Sequence, residues 1–125
     1  MLAHEIRVSK KMQKSEVVAY GLFSHQDTLK SFMIMPRYGM NLHQYFETCG
    51  KEFSDHTVVA IGTSLLSSLS MLHKTGYVYN DLKPDNILLD YLSKVPRRFT
   101  PLNAFQHTSL HLIDFGFAQK YLDND

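Results

Sequence analysis

The stretch that decides the fold is GYVYNDLKPDNILLD, residues 76–90. Polar and charged residues crowd positions 80 to 86, and apolar residues flank them on both sides. Because Pro, Asp and Asn form turns readily, this segment is predicted to be a loop between two buried elements. A loop on a rigid base is where catalytic and binding side chains are commonly found.

The composition is that of an ordinary globular domain. The chain has 125 residues, of which 44% are hydrophobic and 20% charged, with a formal net charge of +1. This charge gives no electrostatic reason to expect nucleic acid or an anionic membrane as a partner. No apolar run approaches the ~20 residues of a membrane span, and the N-terminus lacks a signal-peptide core. With a single cysteine, Cys49, we expect an intracellular protein, cytoplasmic or nuclear; its oligomeric state stays open.

Upstream of the loop, helices and strands alternate. Apolar spacing and β-branched content predict the elements that follow. They are a helix over 2–14, a strand over 17–23, a polar turn at 24–28 (SHQDT), a strand over 29–35 and a short helix over 41–47.

The clearest element is a helix from Asp55 to His73. Ser54 is a suitable N-cap, and Gly76 lies where helices often end. One apolar stripe is predicted to face the core, namely Val58, Ile61, Leu65, Leu69 and Leu72. The opposite face is small and serine-rich, which fits either a solvated face or close contact with another helix.

Downstream, two short apolar runs predict buried strands at 87–89 and 110–113. The second leads into D-F-G at 114–116. The segment 91–109 between them is predicted to be an insertion loop. Its basic cluster, KVPRR, is more simply a solvated loop than a docking patch for an acidic partner.

Four side chains in these turns fit the chemistry of phosphoryl transfer. Asp81 can accept the proton of an attacking hydroxyl, and Lys83 can neutralise charge on the transferring group. Asn86 and Asp114 offer the oxygen ligands that Mg²⁺ prefers. Each motif alone is also a common surface turn. Their occurrence together, each in its expected context of helix and strands, favours catalysis over coincidence.

These motifs resemble the protein kinase superfamily of the serine/threonine type. MLHKTGYVYNDLKPDNILL is similar to the end of the family's αE helix, its catalytic loop and strand β7, and HLIDFGFA to β8 and the magnesium loop. FMIMPRYGMNL and the final DFGFAQKY resemble the casein kinase one and vaccinia-related kinase group. The resemblance implies an α+β, two-lobed fold, truncated to the part from αC to the D-F-G segment. It divides residues 1–125 into an N-lobe remnant (1–35), a hinge (36–42) and a C-lobe (43–125).

The resemblance also implies contacts with ATP, Mg²⁺ and a protein substrate that offers a Ser or Thr hydroxyl. The residues implied to contact adenine are Met35 as gatekeeper, Pro36 and Tyr38 through their backbones, Leu88 as floor and Ile113 at the back. Glu5 stands where the family has the αC acid that pairs with a lysine on strand β3. That lysine, like the Gly-rich loop, is absent from the 125 residues.

Departures from the family pattern temper this interpretation. Y-N-D replaces H-R-D, so Tyr79 is expected to fill the place of a histidine that packs under the magnesium loop. Asn80 replaces an arginine, which predicts that activation-loop phosphorylation is not the switch. Two hypotheses therefore stand: a serine/threonine protein kinase, and an inactive kinase-like module that binds partners or nucleotide. A small-molecule phosphotransferase fits less well. As an isolated chain we expect poor stability and weak or absent Mg²⁺-ATP binding.

Overall fold

The computed structural model describes residues 2–12, 23–26, 30–91 and 109–122. Its helices are α1 (Leu2–Lys11), α2 (Leu42–Thr48) and α3 (Asp55–Lys74), with a 3-10 turn at Pro84–Asn86. Its strands are β1 (Phe23–Gln26), β2 (Ser31–Ile34), β3 (Tyr77–Val78), β4 (Ile87–Leu89), β5 (Leu110–Leu112) and β6 (Gln119–Lys120). Three antiparallel two-stranded sheets result, β1–β2, β3–β6 and β4–β5. The predicted α+β class is confirmed.

The first sheet corrects the predicted turn at 24–28. Ser24, His25 and Gln26 belong to strand β1, and Gln26 pairs with Ser31 of β2. The polar sequence conceals this strand because His25 and most of β2 are exposed, so burial leaves no alternating pattern. Residues 17–22 of the predicted strand lie outside the described residues. Helix α1 also ends at Lys11, earlier than predicted, and Met12 turns back to bond Ser9.

The caps of α2 and α3 explain where these helices begin. Asn41 and Gln44 form a capping box in which each side chain accepts from the other's backbone N–H, at 2.8 and 3.0 Å. Ser54 accepts from the Thr57 backbone N–H at 3.2 Å, which confirms the predicted N-cap. Helix α3 ends at Lys74 with Thr75 as its C-cap, and Gly76 follows with a φ of 85°, a left-handed conformation that suits glycine.

Helix α3 turns most of the predicted stripe toward the core, and the prediction is wrong at Val58. Val58 is 55% exposed, whereas Ile61 and Leu72 are buried and Leu65 and Leu69 pack partly against the core. Thr57 and Ser68 take part in the buried line, and Ser68 donates back to the Ser64 carbonyl at 3.0 Å. A hydroxyl that bonds within its own helix can be buried at little cost, so apolar spacing alone missed these positions. The serine-rich face of α3 is therefore partly buried, as at Ser68, and partly exposed, as at Ser67. Within the described ranges, no helix is long and apolar enough to cross a membrane.

The segment between β2 and α2 lies along β4. Gly39 N–H donates to the Leu89 carbonyl at 2.8 Å, and Leu89 N–H donates to the Met40 carbonyl at 3.0 Å. Asn41 and Leu88 form an isolated antiparallel bridge. These bonds fix the segment 39–41 beside the strand that follows the catalytic motif.

The core joins all three helices to the β4–β5 pair. The largest of its fully buried side chains is Phe115 of D-F-G. The other core members come from the three helices, from β3, β4 and β5, and from residues near their ends: Val8, Met12, Leu42, Tyr45, Ile61, Leu72, Tyr77, Tyr79, Ile87, Leu89, Leu110, Leu112 and Ala118. Because the D-F-G phenylalanine is a core residue, the position of Asp114 beside it is set by packing.

Gly39→Ala is expected to destabilise the fold by about 1–3 kcal/mol, since an added methyl group overpacks the site. A Cβ at Gly39 would lie 2.4 Å from the Asp90 carbonyl oxygen, and the bond from Gly39 N–H to the Leu89 carbonyl holds the two segments together. Gly62→Ala is the matched control, because a Cβ there meets nothing within 4 Å. In the middle of α3 it should stabilise by roughly 0.5–1 kcal/mol. Urea unfolding measures both, and a neutral Gly39→Ala would contradict the packing described.

Candidate active site

The loop after β3 holds Asp81, Lys83 and Asn86 in one hydrogen-bonded cluster. Lys83 Nζ donates to both carboxylate oxygens of Asp81, at 3.0 and 3.2 Å. Asn86 Nδ2 donates to the Asp81 carboxylate at 2.8 Å and to its backbone carbonyl at 3.1 Å. The 3-10 turn at Pro84–Asn86 reverses the chain after Lys83 and so allows the Asn86 amide to reach back to Asp81. The spacing D-x-K-x-x-N therefore produces a compact polar cluster.

The orientation of Asn86 has a chemical consequence. Its side chain is buried, and its amide NH₂ is committed to Asp81. The amide oxygen is thereby turned away from Asp81 and is available as a neutral ligand. The same contacts act on Asp81: hydrogen bonding from Lys83, with a further contribution from Asn86, lowers the pKa of its carboxyl. Asp81 is therefore a carboxylate at neutral pH.

Asp114 approaches the same cluster from strand β5. The Ile113 N–H donates to the Asn86 carbonyl at 3.1 Å, which joins the two turns directly. Asp114 itself has a φ of 59°, and its carboxylate accepts from the Gly116 N–H at 3.1 Å. Asp81 chiefly, and Asp114 in addition, raise the pKa of Lys83. The charges of the two turns thus act on one lysine.

The donor set suits a magnesium ion shared with a phosphate ligand. Among the described residues, no group of three or more His, Cys, Asp and Glu side chains is placed to hold a metal. Mg²⁺ commonly takes one or two carboxylates and completes its shell with water and substrate phosphates. Asn86 Oδ1 and the Asp114 carboxylate supply oxygen ligands of that kind, and the fixed amide of Asn86 fits this use.

Glu5 on α1 faces the D-F-G turn. The backbone N–H of Phe115 donates to its carboxylate, while burial and the nearby Asp114 raise the pKa of Glu5 above its ordinary value. The structure therefore brings Glu5 to the back of the site. Lys10 and Lys11 lie in the last turn of the same helix, where Lys11 Nζ lies over the Tyr77 ring, 5.3 Å from its centroid.

Glu5→Gln is expected to remove a pH dependence of stability in EDTA-containing buffer. Because the folded-state pKa of Glu5 is raised, its contribution to stability is present at acidic pH. That contribution is lost as the pH rises through the raised value. The wild type should therefore lose stability relative to Glu5→Gln as the pH rises from the ordinary glutamate pKa through the raised pKa of Glu5. Glu47→Gln, at an exposed acid paired with Lys51, is the control in urea unfolding. Parallel pH profiles for wild type and Glu5→Gln would refute the expectation.

Tyr79 fills the space under the D-F-G turn, as the sequence predicted. Its hydroxyl donates to the Ile113 carbonyl, and its ring packs edge-on against Phe115 with centroids 5.7 Å apart. Burial raises the pKa of this hydroxyl above its ordinary value, so it remains a donor. The neighbouring Asn80, with a φ of 64°, places its amide 3.4 Å from the Phe117 carbonyl. Both replacements in Y-N-D thus contact the segment around D-F-G.

Tyr79→Phe is expected to cost about 1–3 kcal/mol, because the Ile113 carbonyl loses its donor in a partly buried place. Tyr121→Phe is the matched control, since that hydroxyl also donates to a carbonyl, His73 O at 3.0 Å, but is exposed to water. The control should cost well under 1 kcal/mol. Chemical unfolding of the two variants checks this, and equal losses would contradict the assigned role of Tyr79.

The proposed adenine contacts lie around the segment that pairs with β4. Met35 and Pro36 follow β2 and are partly buried. The Tyr38 ring lies against His111, with centroids 4.5 Å apart. Leu88 faces His111 across the β4–β5 pair, and Ile113 directly precedes Asp114. Tyr38 and Leu88 thus share His111 as a neighbour.

The sequence pattern did not predict the polar contacts that Asp90 makes with Ser109 and His111 behind this segment. Asp90 accepts from the Ser109 N–H at 3.1 Å and lies 2.7 Å from His111 Nε2. These residues close the ends of the 91–109 segment on one face of the antiparallel pair. The signal was diagonal cross-strand pairing of Asp90 with His111, which can be found only once the register is known. Residues 92–108, including KVPRR, lie outside the described residues.

Comparison with known proteins agrees with this geometry. The sequence model described as "Protein kinase domain" matches residues 1–125. The chain belongs to the protein kinase domain family. The resemblance seen in the catalytic loop and D-F-G is thereby confirmed, and the fold is a partial protein kinase domain.

Among the proteins to which this chain is similar are several casein kinase I homologues. Casein kinase I homolog 1 of Saccharomyces cerevisiae is 30% identical over 122 residues, which cover 98% of this chain and 21% of that protein. Casein kinase I homolog RAG8 of Kluyveromyces lactis is 31% identical over the same shares. A probable casein kinase I homolog of Encephalitozoon cuniculi is 29% identical over 96% of this chain and 36% of that protein. The chain thus spans between about a fifth and just over a third of these relatives.

Proposed function

We propose that this protein is a serine/threonine protein kinase that transfers the γ-phosphoryl group of ATP to protein hydroxyls. The observation that carries the proposal is the Asp81–Lys83–Asn86 cluster, bonded to the D-F-G turn through Ile113 N–H and the Asn86 carbonyl. Membership of the protein kinase family and likeness to casein kinase I homologues support it. The lysine two residues after the acid is the feature that favours Ser and Thr hydroxyls over Tyr.

Asp81 has the role of orienting the attacking hydroxyl. Its lowered pKa keeps it ionised, so it accepts a hydrogen bond from the hydroxyl and takes its proton as the bond to phosphorus forms. Lys83 forms an ion pair with Asp81, and the nearby charge of Asp114 also contributes to its raised pKa. An ammonium in that position stabilises negative charge on the transferring group. The raised pKa of Lys83 keeps it cationic for this purpose.

Asn86 and Asp114 would hold Mg²⁺ against the ATP phosphates. When bound, the ion neutralises phosphate charge and fixes the orientation of the triphosphate. The chain's own contribution is geometric, because Asp81 fixes the Asn86 amide and Gly116 N–H fixes the Asp114 carboxylate. Adenine would lie between Leu88 and the residues from Met35 to Tyr38, with the Pro36 carbonyl and the Tyr38 amide at its edge and Ile113 behind.

A second candidate is an inactive kinase-like module that binds nucleotide or a protein partner. The observation that favours it is the environment of Glu5, whose pKa is raised by burial and by the nearby Asp114 rather than lowered by a cationic partner. In protein kinases the Lys–Glu pair must be in place for activity. The two candidates make opposite predictions about turnover, while both allow nucleotide binding.

The experiment that separates them starts from the gene. The product read in frame through the genomic sequence on both sides of the Met1 and Asp125 codons is purified and given γ-labelled ATP, Mg²⁺ and casein. Transfer of label to Ser and Thr, dependent on Mg²⁺, supports the kinase. Mg²⁺-ATP binding without transfer supports the inactive module. Absence of both contradicts the proposed function.

A further inference from the structure

A histidine on α1 holds the far end of the D-F-G turn. His4 Nε2 lies 2.6 Å from the backbone carbonyl oxygen of Ala118. A carbonyl only accepts hydrogen bonds, so Nε2 carries the hydrogen and donates it. The contact joins positions 114 residues apart, and neither apolar spacing nor the D-F-G motif points to it.

The Ala118 carbonyl lies where the turn becomes a strand. The Ala118 N–H donates to the Phe115 carbonyl at 3.1 Å and so closes the turn that contains Gly116. The next residues, Gln119 and Lys120, form β6 and pair with β3 beside the catalytic loop. Ala118 is itself buried in the core. A bond at its carbonyl therefore constrains both the turn and the start of β6.

His4 and Glu5, which are consecutive residues of α1, bind the two ends of this turn. Glu5 accepts from the Phe115 N–H, and His4 donates to the Ala118 carbonyl. Two attachment points fix the orientation of a turn, whereas one leaves it free to rotate. Asp114 precedes the first attachment point and has a left-handed φ of 59°, a conformation that surrounding contacts must hold.

We propose that His4 is a positioning residue for the D-F-G turn, holding Asp114 in its metal-binding orientation through the Ala118 carbonyl. The contact itself requires no nucleotide. The expected effect on catalysis rests on the proposed function, since Asp114 must have a metal to bind. Loss of the donor at position 4 is expected to loosen residues 115–118 while α3 and its core contacts stay closed.

Two substitutions of His4 by residues with amide side chains distinguish this positioning role from simple packing. In His4→Gln the side-chain NH₂ reaches the place of Nε2 and can still donate to Ala118, whereas in His4→Asn it is too short. Arg7→Gln, at an exposed position of the same helix, controls for changes in helix propensity. Amide hydrogen exchange by NMR, without nucleotide, is followed at Phe115, Gly116 and Ala118, with Leu72 in α3 as the reference.

His4→Asn is expected to speed exchange at the three turn amides by about tenfold, the equivalent of one lost hydrogen bond. His4→Gln and Arg7→Gln should stay near wild type, and Leu72 should be unchanged in all three. Equal acceleration in His4→Gln and His4→Asn, or acceleration at Leu72 as large as in the turn, overturns the proposal. Unchanged exchange rates at Phe115, Gly116 and Ala118 in His4→Asn also overturn the proposal.

Phosphoryl transfer by the gene product provides a second readout. The proposal expects kcat to fall about tenfold in His4→Asn and to recover in His4→Gln, in parallel with the exchange rates. If the wild type transfers no phosphate, the proposed function fails, while the exchange pattern still decides the role of His4.

Discussion

Asp81→Asn should lower kcat for phosphoryl transfer by about 10²–10⁴-fold, the usual contribution of a positioned general base. The substitution keeps the size of the side chain and one oxygen acceptor. It removes the negative charge that we propose accepts the hydroxyl proton and that pairs with Lys83 Nζ at 3.0 Å. Binding of Mg²⁺-ATP should persist, because the proposed metal ligands Asn86 and Asp114 remain.

Asp85→Asn is the matched control for this prediction. Asp85 lies in the same loop, is exposed, and contributes only a minor charge effect to Lys83. It should retain activity within about threefold, as expected for a surface acid whose charge water and salt screen. Initial rates at saturating ATP and casein measure both variants. If Asp81→Asn and Asp85→Asn had the same rate, Asp81 would not be the base.

Asp114→Asn should lower kcat/KM by about 10³-fold, because a metal ion supplies several kcal/mol of charge stabilisation and needs a carboxylate to hold it. The fold should survive. Asparagine tolerates the left-handed conformation at this position, and its oxygen can still accept from the Gly116 N–H. The variant also removes a charge that raises the pKa of Glu5.

The measurement for Asp114→Asn is activity across a Mg²⁺ titration, beside urea unfolding of the metal-free protein. The account expects a large loss at low Mg²⁺, partial recovery at high Mg²⁺, and an unfolding free energy at neutral pH no lower than that of the wild type. A variant with wild-type activity at every Mg²⁺ concentration would show that Asp114 does not bind the metal.

The sequence reveals those parts of the fold that depend on local signals. Helix α3 was predicted from its periodicity and its Ser54 cap, and strand β4 from a short apolar run next to the catalytic motif. Strand β1 was missed because its residues Ser24, His25 and Gln26 carry turn-forming or polar side chains. Pairing with β2 alone makes them a strand, and a partner strand leaves no trace in local sequence.

The same distinction applies to the candidate site. Asp81, Lys83 and Asn86 sit within one short motif, so their spacing was enough to predict that they meet. The contacts of His4 with Ala118 and of Asp90 with His111 are tertiary. Each depends on how distant elements dock, and no residue pattern near either partner encodes that docking.

The central claim is that the turn with Asp81 and Asn86 and the turn with Asp114 bind one metal-nucleotide complex. Mn²⁺ in place of Mg²⁺ tests it, since the bound ion broadens NMR signals near it and millimolar Mn²⁺-ATP registers even weak binding. The account predicts that the Asn86 side-chain NH₂ and the Gly116 backbone amide broaden together, at one ATP-dependent concentration, while Val59 on the exposed face of α3 does not. Broadening at one turn without the other, or at neither, would contradict it.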